Sequence, residues 1–187
     1  MESWENGAPE RKFCRLGEGL SVTDGVKIEG YASYFGKPDR GGDIVQPGAY
    51  GASLKALEAA GRRVKMLWQH DPAQPIGIWD EVREDGRGLY VKGRILTDVE
   101  KGREAAALIA AGAIDGLSIG YRTVKARKDD RGRRLLSELE LWEVSLVTFP
   151  MLPQARVGAK GEDPRAGDTL RELADLFHEA RRMLARN

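Results

Sequence analysis

The sequence predicts an α+β fold with a strand-rich core, and three observations carry that prediction. Runs in which apolar and polar residues alternate, the period of a half-buried strand, recur between residues 26 and 149. Two pairs of these runs are joined by short polar turns, "DGRG" and "KDDRG", as β-hairpins require. Within the same span only 50–61 and 97–113 carry a helical pattern.

Taken in order, residues 1–24 are polar, dotted with glycine, and read as a loosely ordered arm. "VKIEGYASYFG" (26–36) alternates as a strand does, and "KPDRGGDIVQPGAY" (37–50) is a long, turn-rich connection. "YGASLKALEAAG" (50–61) has the look of a short helix closed by Gly61. In "RVKMLWQHD" (63–71), Val64, Met66 and Trp68 alternate with Lys65, Leu67 and Gln69, so a strand is expected, followed by a proline-bounded turn, "DPAQP". "IGIWDEVRED" (76–85) and "GLYVKGRIL" (88–96) make the first hairpin. In "TDVEKGREAAALIAAGA" (97–113), Thr97 as N-cap with Glu100 three residues on forms a capping box, and Gly112 marks the stop. "GLSIGYRTVKAR" and "RRLLSELELWEVSLVTF" make a second, longer hairpin. Residues 150–167 form a Pro/Gly-rich linker, and 168–187 place Leu170, Leu173, Phe177, Ala180 and Leu184 on one helical stripe. The expected inventory is at least six strands, two or three helices, and a tethered amphipathic C-terminal helix.

Composition narrows the function classes. A length of 187 residues fits about one domain with some length left for tails. Thirty basic and 29 acidic residues give a net charge of +1, which offers no electrostatic argument for nucleic acid or an anionic membrane. No apolar run approaches the ~18 residues of a membrane span. The single cysteine, Cys14, cannot form an internal disulfide, and the N-terminus lacks the basic-then-apolar layout of a signal peptide, so a cytoplasmic protein is expected. Two histidines and one cysteine far apart in sequence show no metal-ligand spacing. The glycines of 30–51 lack the Lys-Ser/Thr ending of a phosphate-binding loop.

The residues that can do chemistry are few. Ser118 stands in an apolar strand between Leu117 and Ile119, with Gly116 and Gly120 stripping bulk from either side. Such a serine can simply bond to backbone, but flanking glycines also leave room for another chain, and a peptide substrate would be one. A serine nucleophile needs a base to take its proton. His70 ends a strand just before a turn, a usual place for a site residue, whereas His178 lies beyond the linker. A third group should orient the imidazole. If the second hairpin turns near Asp130, Ser118 lies opposite about Trp142, which brings Glu143, and more loosely Glu140, within reach. A glutamate between Trp142 and Val144 is costly to bury without a partner, while Glu138 and Glu140 read as a solvated face.

In order, "GYASYFG", "GDIVQPGAY", "MLWQHDPAQPIG", "GLYVKGRI", "DGLSIGY" and "ELWEVSLVTFPMLPQARV" resemble the prohead protease family of tailed phages. The resemblance covers roughly residues 27–157, and the succession "QHD", "LSIGY", "EVSLVTFP" makes it specific. These serine proteases are similar in fold to the herpesvirus maturational protease. The resemblance therefore implies a compact, mostly antiparallel β-barrel wrapped by a few helices, forming a protease domain over 25–157. It implies Ser118 as nucleophile, His70 as general base and an acidic third member, for which Glu143 is the position chosen while the resemblance leaves Glu140 open. Met151, Leu152 and Gln154 depart from the small residues and asparagine of many relatives, and the oxyanion donors stay unassigned. No cofactor or metal is implied. The implied substrates are the scaffolding segment of the major capsid protein and the protease itself, inside the assembling prohead in the host cytoplasm. Residues 158–187 are expected either to pack on their own domain or to dock on the scaffold segment or a second copy of the protease. The alternative is a capsid-assembly scaffold that keeps the barrel without activity.

Overall fold

The computed structural model describes residues 10–14, 21–23, 27–39 and 41–149. Among them the chain forms β1 (Glu10–Cys14), β2 (Ser21–Thr23), β3 (Lys27–Tyr34), β4 (Ile44–Val45), α1 (Gly51–Ala59), β5 (Lys65–Trp68), β6 (Asp71–Glu84), β7 (Gly88–Ile95), α2 (Glu100–Ala110), β8 (Gly116–Lys128) and β9 (Arg134–Val147). All nine strands join one sheet in the order β1-β8-β9-β5-β6-β7-β3-β2, with β4 beside β9. Pairing is antiparallel except where β4 and β5 run parallel to β9. The sheet curls into a half-barrel, so that β3, near one end of the order, also touches β1 and β8 at the other.

Alternation explains the half-buried strands. In β7, Leu89, Val91 and Ile95 are buried while Lys92 and Arg94 are exposed. The second hairpin is different. From Gly116 to Tyr121 every residue of β8 is buried, as is every residue from Glu143 to Val147 of β9; toward the tip β8 turns largely exposed, while β9 alternates, keeping Leu136, Leu139 and Leu141 buried. The base of the hairpin is therefore covered on both faces, which suits a continuous apolar run. Each fully buried Leu or Ile there, such as Leu117, Ile119 and Leu146, contributes about 2 kcal/mol. Helix α1 covers the outer side of β9: the Ser53 hydroxyl accepts the Leu141 N–H (2.9 Å), and the Ala49 carbonyl accepts the Leu139 N–H (2.9 Å).

Five local expectations are corrected. Residues 1–24 hold two strands, β1 and β2, which polar side chains and glycines disguise. The 37–50 connection contains β4, only two residues long. Helix α2 starts at Glu100 with Val99 at the N-cap and no side-chain cap bond, so Thr97 and Glu100 form no capping box, and Glu100 instead lies in the first turn. The turn after β5 is the pair Gln69–His70, at φ 52° and 63°, and "DPAQP" already belongs to β6. Pro75 is accommodated there because the β5–β6 ladder is irregular on both sides of Leu67. Finally, Ser118 lies opposite Ser145 rather than Trp142. The hairpin tip is shifted toward Arg131, as the Lys128–Arg134 pair shows, and the ladder skips a residue between Gly120 and Tyr121. The linker, the C-terminal helix, His178 and the loop with Met151, Leu152 and Gln154 lie outside the described residues.

Candidate active site

Register assembles the site. Residues opposite one another on antiparallel strands share a face, so the pairs Ser118–Ser145 and Gly120–Glu143 project four positions to one side of β8 and β9. Parallel β5 lies on the other flank of β9, with Leu67 beside Ser145 and Trp68 beside Leu146, so its end delivers the Gln69–His70 turn over the same face. Three residues distant in sequence thereby meet. The His70 ring lies with Nε2 2.6 Å from Ser118 Oγ and Nδ1 2.5 Å from Glu143 Oε1. Ser118 is 0% exposed, His70 7% and Glu143 8%, so the relay is shielded from water.

The chemistry of the donors orders the protons. A carboxylate only accepts, so Nδ1 carries the imidazole proton and donates it to Glu143. Nε2 is then left with a lone pair, and the Ser118 hydroxyl donates to it. That arrangement can activate an alcohol: the ring takes the hydroxyl proton while the carboxylate stabilises the resulting imidazolium.

Gly120 has a different use from the one its position in the sequence suggests. A Cβ built there would lie 2.0 Å from Glu143 Oε1 and 2.7 Å from its carboxyl carbon. The missing side chain makes room for the carboxylate, not for a substrate strand. The backbone beside Ser118 is the chain's own, since β1 pairs with β8 and sets Phe13 opposite Ser118. Gly116 is buried opposite Val147.

Two further residues escape a sequence reading. The Ser145 hydroxyl donates to Glu143 Oε2 (2.5 Å) and accepts the backbone N–H of His70 (3.1 Å), while fully buried itself. Its signal in the sequence is faint: it is the second residue after Glu143 on the same strand face. Gln69 donates from Nε2 to Thr148 Oγ1 (2.7 Å), and its own N–H binds the Leu146 carbonyl (3.0 Å), tying the turn to the end of β9.

The other carboxylates are engaged elsewhere. Glu140 bonds Arg122 (2.6 Å) and lines a groove of about 670 Å³ between α1 and β9, together with Ala56 and Trp142. The Arg122 hydrogen bond holds its carboxyl below the ordinary value against a smaller opposing effect of desolvation. Glu138 pairs with Lys125. Asp71 accepts the Ala73 N–H (2.9 Å) and the Gln74 amide (2.6 Å) at the start of β6. Among the described residues no group of three or more His, Cys, Asp or Glu side chains is placed to hold a metal ion.

Comparison with known proteins gives a consistent set. The caudovirus prohead serine protease family matches residues 17–167. The prohead protease of Enterobacteria phage HK97 is 36% identical over 138 residues, a match that covers 71% of this chain and 59% of that protein. The capsid polyprotein of Pseudomonas phage PAJU2 is 32% identical over 128 residues, covering 64% of this chain and 18% of that protein. Among solved structures, the bacteriophage T4 capsid assembly protease gp21 is similar in fold, with a TM-score of 0.62 at 17% identity over 76% of this chain and 98% of that one.

Proposed function

The chain belongs to the caudovirus prohead serine protease family, and from that premise we propose that it is a serine endopeptidase of prohead maturation. Ser118 is the nucleophile, His70 the general base and Glu143 the orienting acid. The observation that carries this reading is the buried relay Ser118 Oγ, His70 Nε2, His70 Nδ1, Glu143 Oε1, with contacts of 2.6 and 2.5 Å.

In the reaction Ser118 Oγ attacks the carbonyl carbon of the scissile peptide bond as Nε2 removes its proton. The tetrahedral adduct collapses when the protonated imidazole gives that proton to the departing amine, which leaves an ester on Ser118. Water, deprotonated by Nε2, attacks the ester, and the proton returns to Oγ as the acid product leaves. Throughout, Glu143 keeps the ring in one tautomer and balances the positive charge on it.

The substrates are the scaffolding segment of the major capsid protein and the protease itself, cleaved inside the assembling prohead in the host cytoplasm. A relative named a capsid polyprotein, a part of which resembles this chain, agrees with a capsid protein as partner. The protease domain centres on residues 25–157, with β1 and β2 completing its sheet, and that curled sheet is of the herpesvirus maturational protease kind.

The test is labelling with a serine-directed fluorophosphonate, followed by co-expression with a prohead-forming capsid protein and mass measurement of the products. Labelling at Ser118 and a shortened capsid protein are expected. Ser118→Ala and His70→Ala should each abolish both, and the double variant should be little worse than either alone, because the two side chains act as one unit. An unlabelled, uncleaving wild type packaged in proheads would instead mark an inactive assembly scaffold.

A further inference from the structure

Ser145 stands between the two residues that prepare Ser118, and, resting on the protease reading above, we propose that it is a positioning residue for the relay. A serine hydroxyl has one proton to give and lone pairs to receive. Here the proton goes to Glu143 Oε2 at 2.5 Å and a lone pair accepts the His70 N–H at 3.1 Å. With the Nδ1 contact at 2.5 Å, Ser145, Glu143 and His70 form a closed ring of three hydrogen bonds.

Each link removes a freedom the others leave. The imidazole fixes Glu143 at Oε1 alone, about which the carboxylate could still pivot; Ser145 holds Oε2 and stops the pivot. The Nδ1 bond fixes the His70 ring but not the backbone that carries it. That backbone has φ 63° at His70 and 52° at Gln69, conformations that a tight turn normally assigns to Gly or Asn. The Ser145 hydroxyl takes the N–H that this turn presents inward. Because Ser145 is also the cross-strand partner of Ser118, the nucleophile, the acid and the turn bearing the base are all referred to one position of β9. The Ser145 hydroxyl bonds Glu143 and the His70 N–H, so its effect passes through Glu143 and His70.

A tagged fluorophosphonate measures the effect, since its saturation kinetics separate binding of the probe from phosphonylation of Ser118. Ser145→Ala should slow the phosphonylation step about tenfold to a hundredfold, the scale of a small misplacement of reacting groups, and leave half-saturation within about twofold. A double-mutant cycle with Glu143→Gln adds a readout that packing alone would not move: the Ser145→Ala effect should shrink at least about threefold once the carboxylate is gone, the remainder passing through the His70 N–H. Melting temperatures of all four proteins identify any loss due to unfolding. Full-rate labelling of a folded Ser145→Ala, or an effect equally large in the Glu143→Gln background, overturns the positioning role while the protease reading stands. Absence of labelling in the unaltered chain overturns both.

Discussion

At the scale of single residues, the acid is the position where geometry discriminates most sharply. Glu143 and Glu140 lie three apart on one strand, yet one faces the His70 ring and the other faces Arg122 near solvent. Glu143→Gln should cut the rate of Ser118 phosphonylation by about 10³- to 10⁴-fold, as loss of the orienting carboxylate does in serine hydrolases. Glu140→Gln should change it less than twofold and cost at most about 0.5 kcal/mol, the scale of an exposed pair. The reverse pattern would show that the relay runs through the other carboxylate. Gly120 supplies a second test. Gly120→Ala drives a methyl into Glu143 Oε1, so the carboxylate or the strand must move. A destabilisation of about 1–3 kcal/mol and at least tenfold slower labelling are expected. Labelling at the wild-type rate with unchanged melting would mean that the site absorbs the methyl without consequence. Ser118, His70 and Glu143 stood out in the sequence as candidates, a lone hydroxyl in an apolar strand, a scarce imidazole at a strand end and a flanked acid; the family resemblance grouped them, and the structure brings the three side chains together. Ser145 did not stand out, since a serine in a strand has no chemistry of its own until its partners are known.

Among the elements, the two hairpins were legible because each is a local event, two alternating runs and a polar turn. Their registers were not, because an irregularity in a ladder leaves no mark in the sequence. The turn that carries His70 was misread for a related reason: the prolines of "DPAQP" advertise a turn, while Gln69 and His70 adopt left-handed backbone without the glycine that would announce it. The tip of the second hairpin makes a pH prediction. Asp129 is raised by desolvation, but bonds from the Arg133 N–H, the Arg133 guanidinium and the Arg131 N–H outweigh this and hold its carboxyl below the ordinary 3.8. A carboxyl lowered by folding stabilises the folded form fully above its unfolded value, and the gain disappears as pH falls through the folded one. Protection of the Arg131 and Gly132 amides, corrected for intrinsic exchange, should therefore fall as pH drops below about 4 and should be weak at all pH values in Asp129→Ala. Protection in the wild type that stays constant down to about pH 2 would show that the turn does not depend on this carboxylate.

At the scale of the whole molecule, the pairings that make the site are the least local ones. β5 meets β9 in parallel although some seventy-eight positions separate Lys65 from its partner Glu143, and no periodicity in either strand encodes that choice. The strand-rich class could be read from alternation, whereas the order of the strands, and the use of residues 10–14 to flank the strand of Ser118, could not. The polar, glycine-dotted composition of that N-terminal stretch concealed its role in the sheet. The other end of the chain poses the complementary question. Leu170, Leu173, Phe177, Ala180 and Leu184 recur at helical spacing after a Pro/Gly-rich stretch, and the family match stops at residue 167. An apolar stripe needs a cover, and under the function proposed above, a protease acting inside an assembling shell, the scaffold segment of the capsid protein is a suitable one. Deleting residues 163–187 should leave the rate of Ser118 phosphonylation within about twofold of wild type, because Ser118, His70, Glu143 and Ser145 all lie before residue 149. The same deletion should lower the number of protease copies recovered in proheads assembled with co-expressed capsid protein, and processing should fall in proportion. Normal recovery in proheads together with full processing would show that this segment plays no part in bringing the enzyme to its substrate.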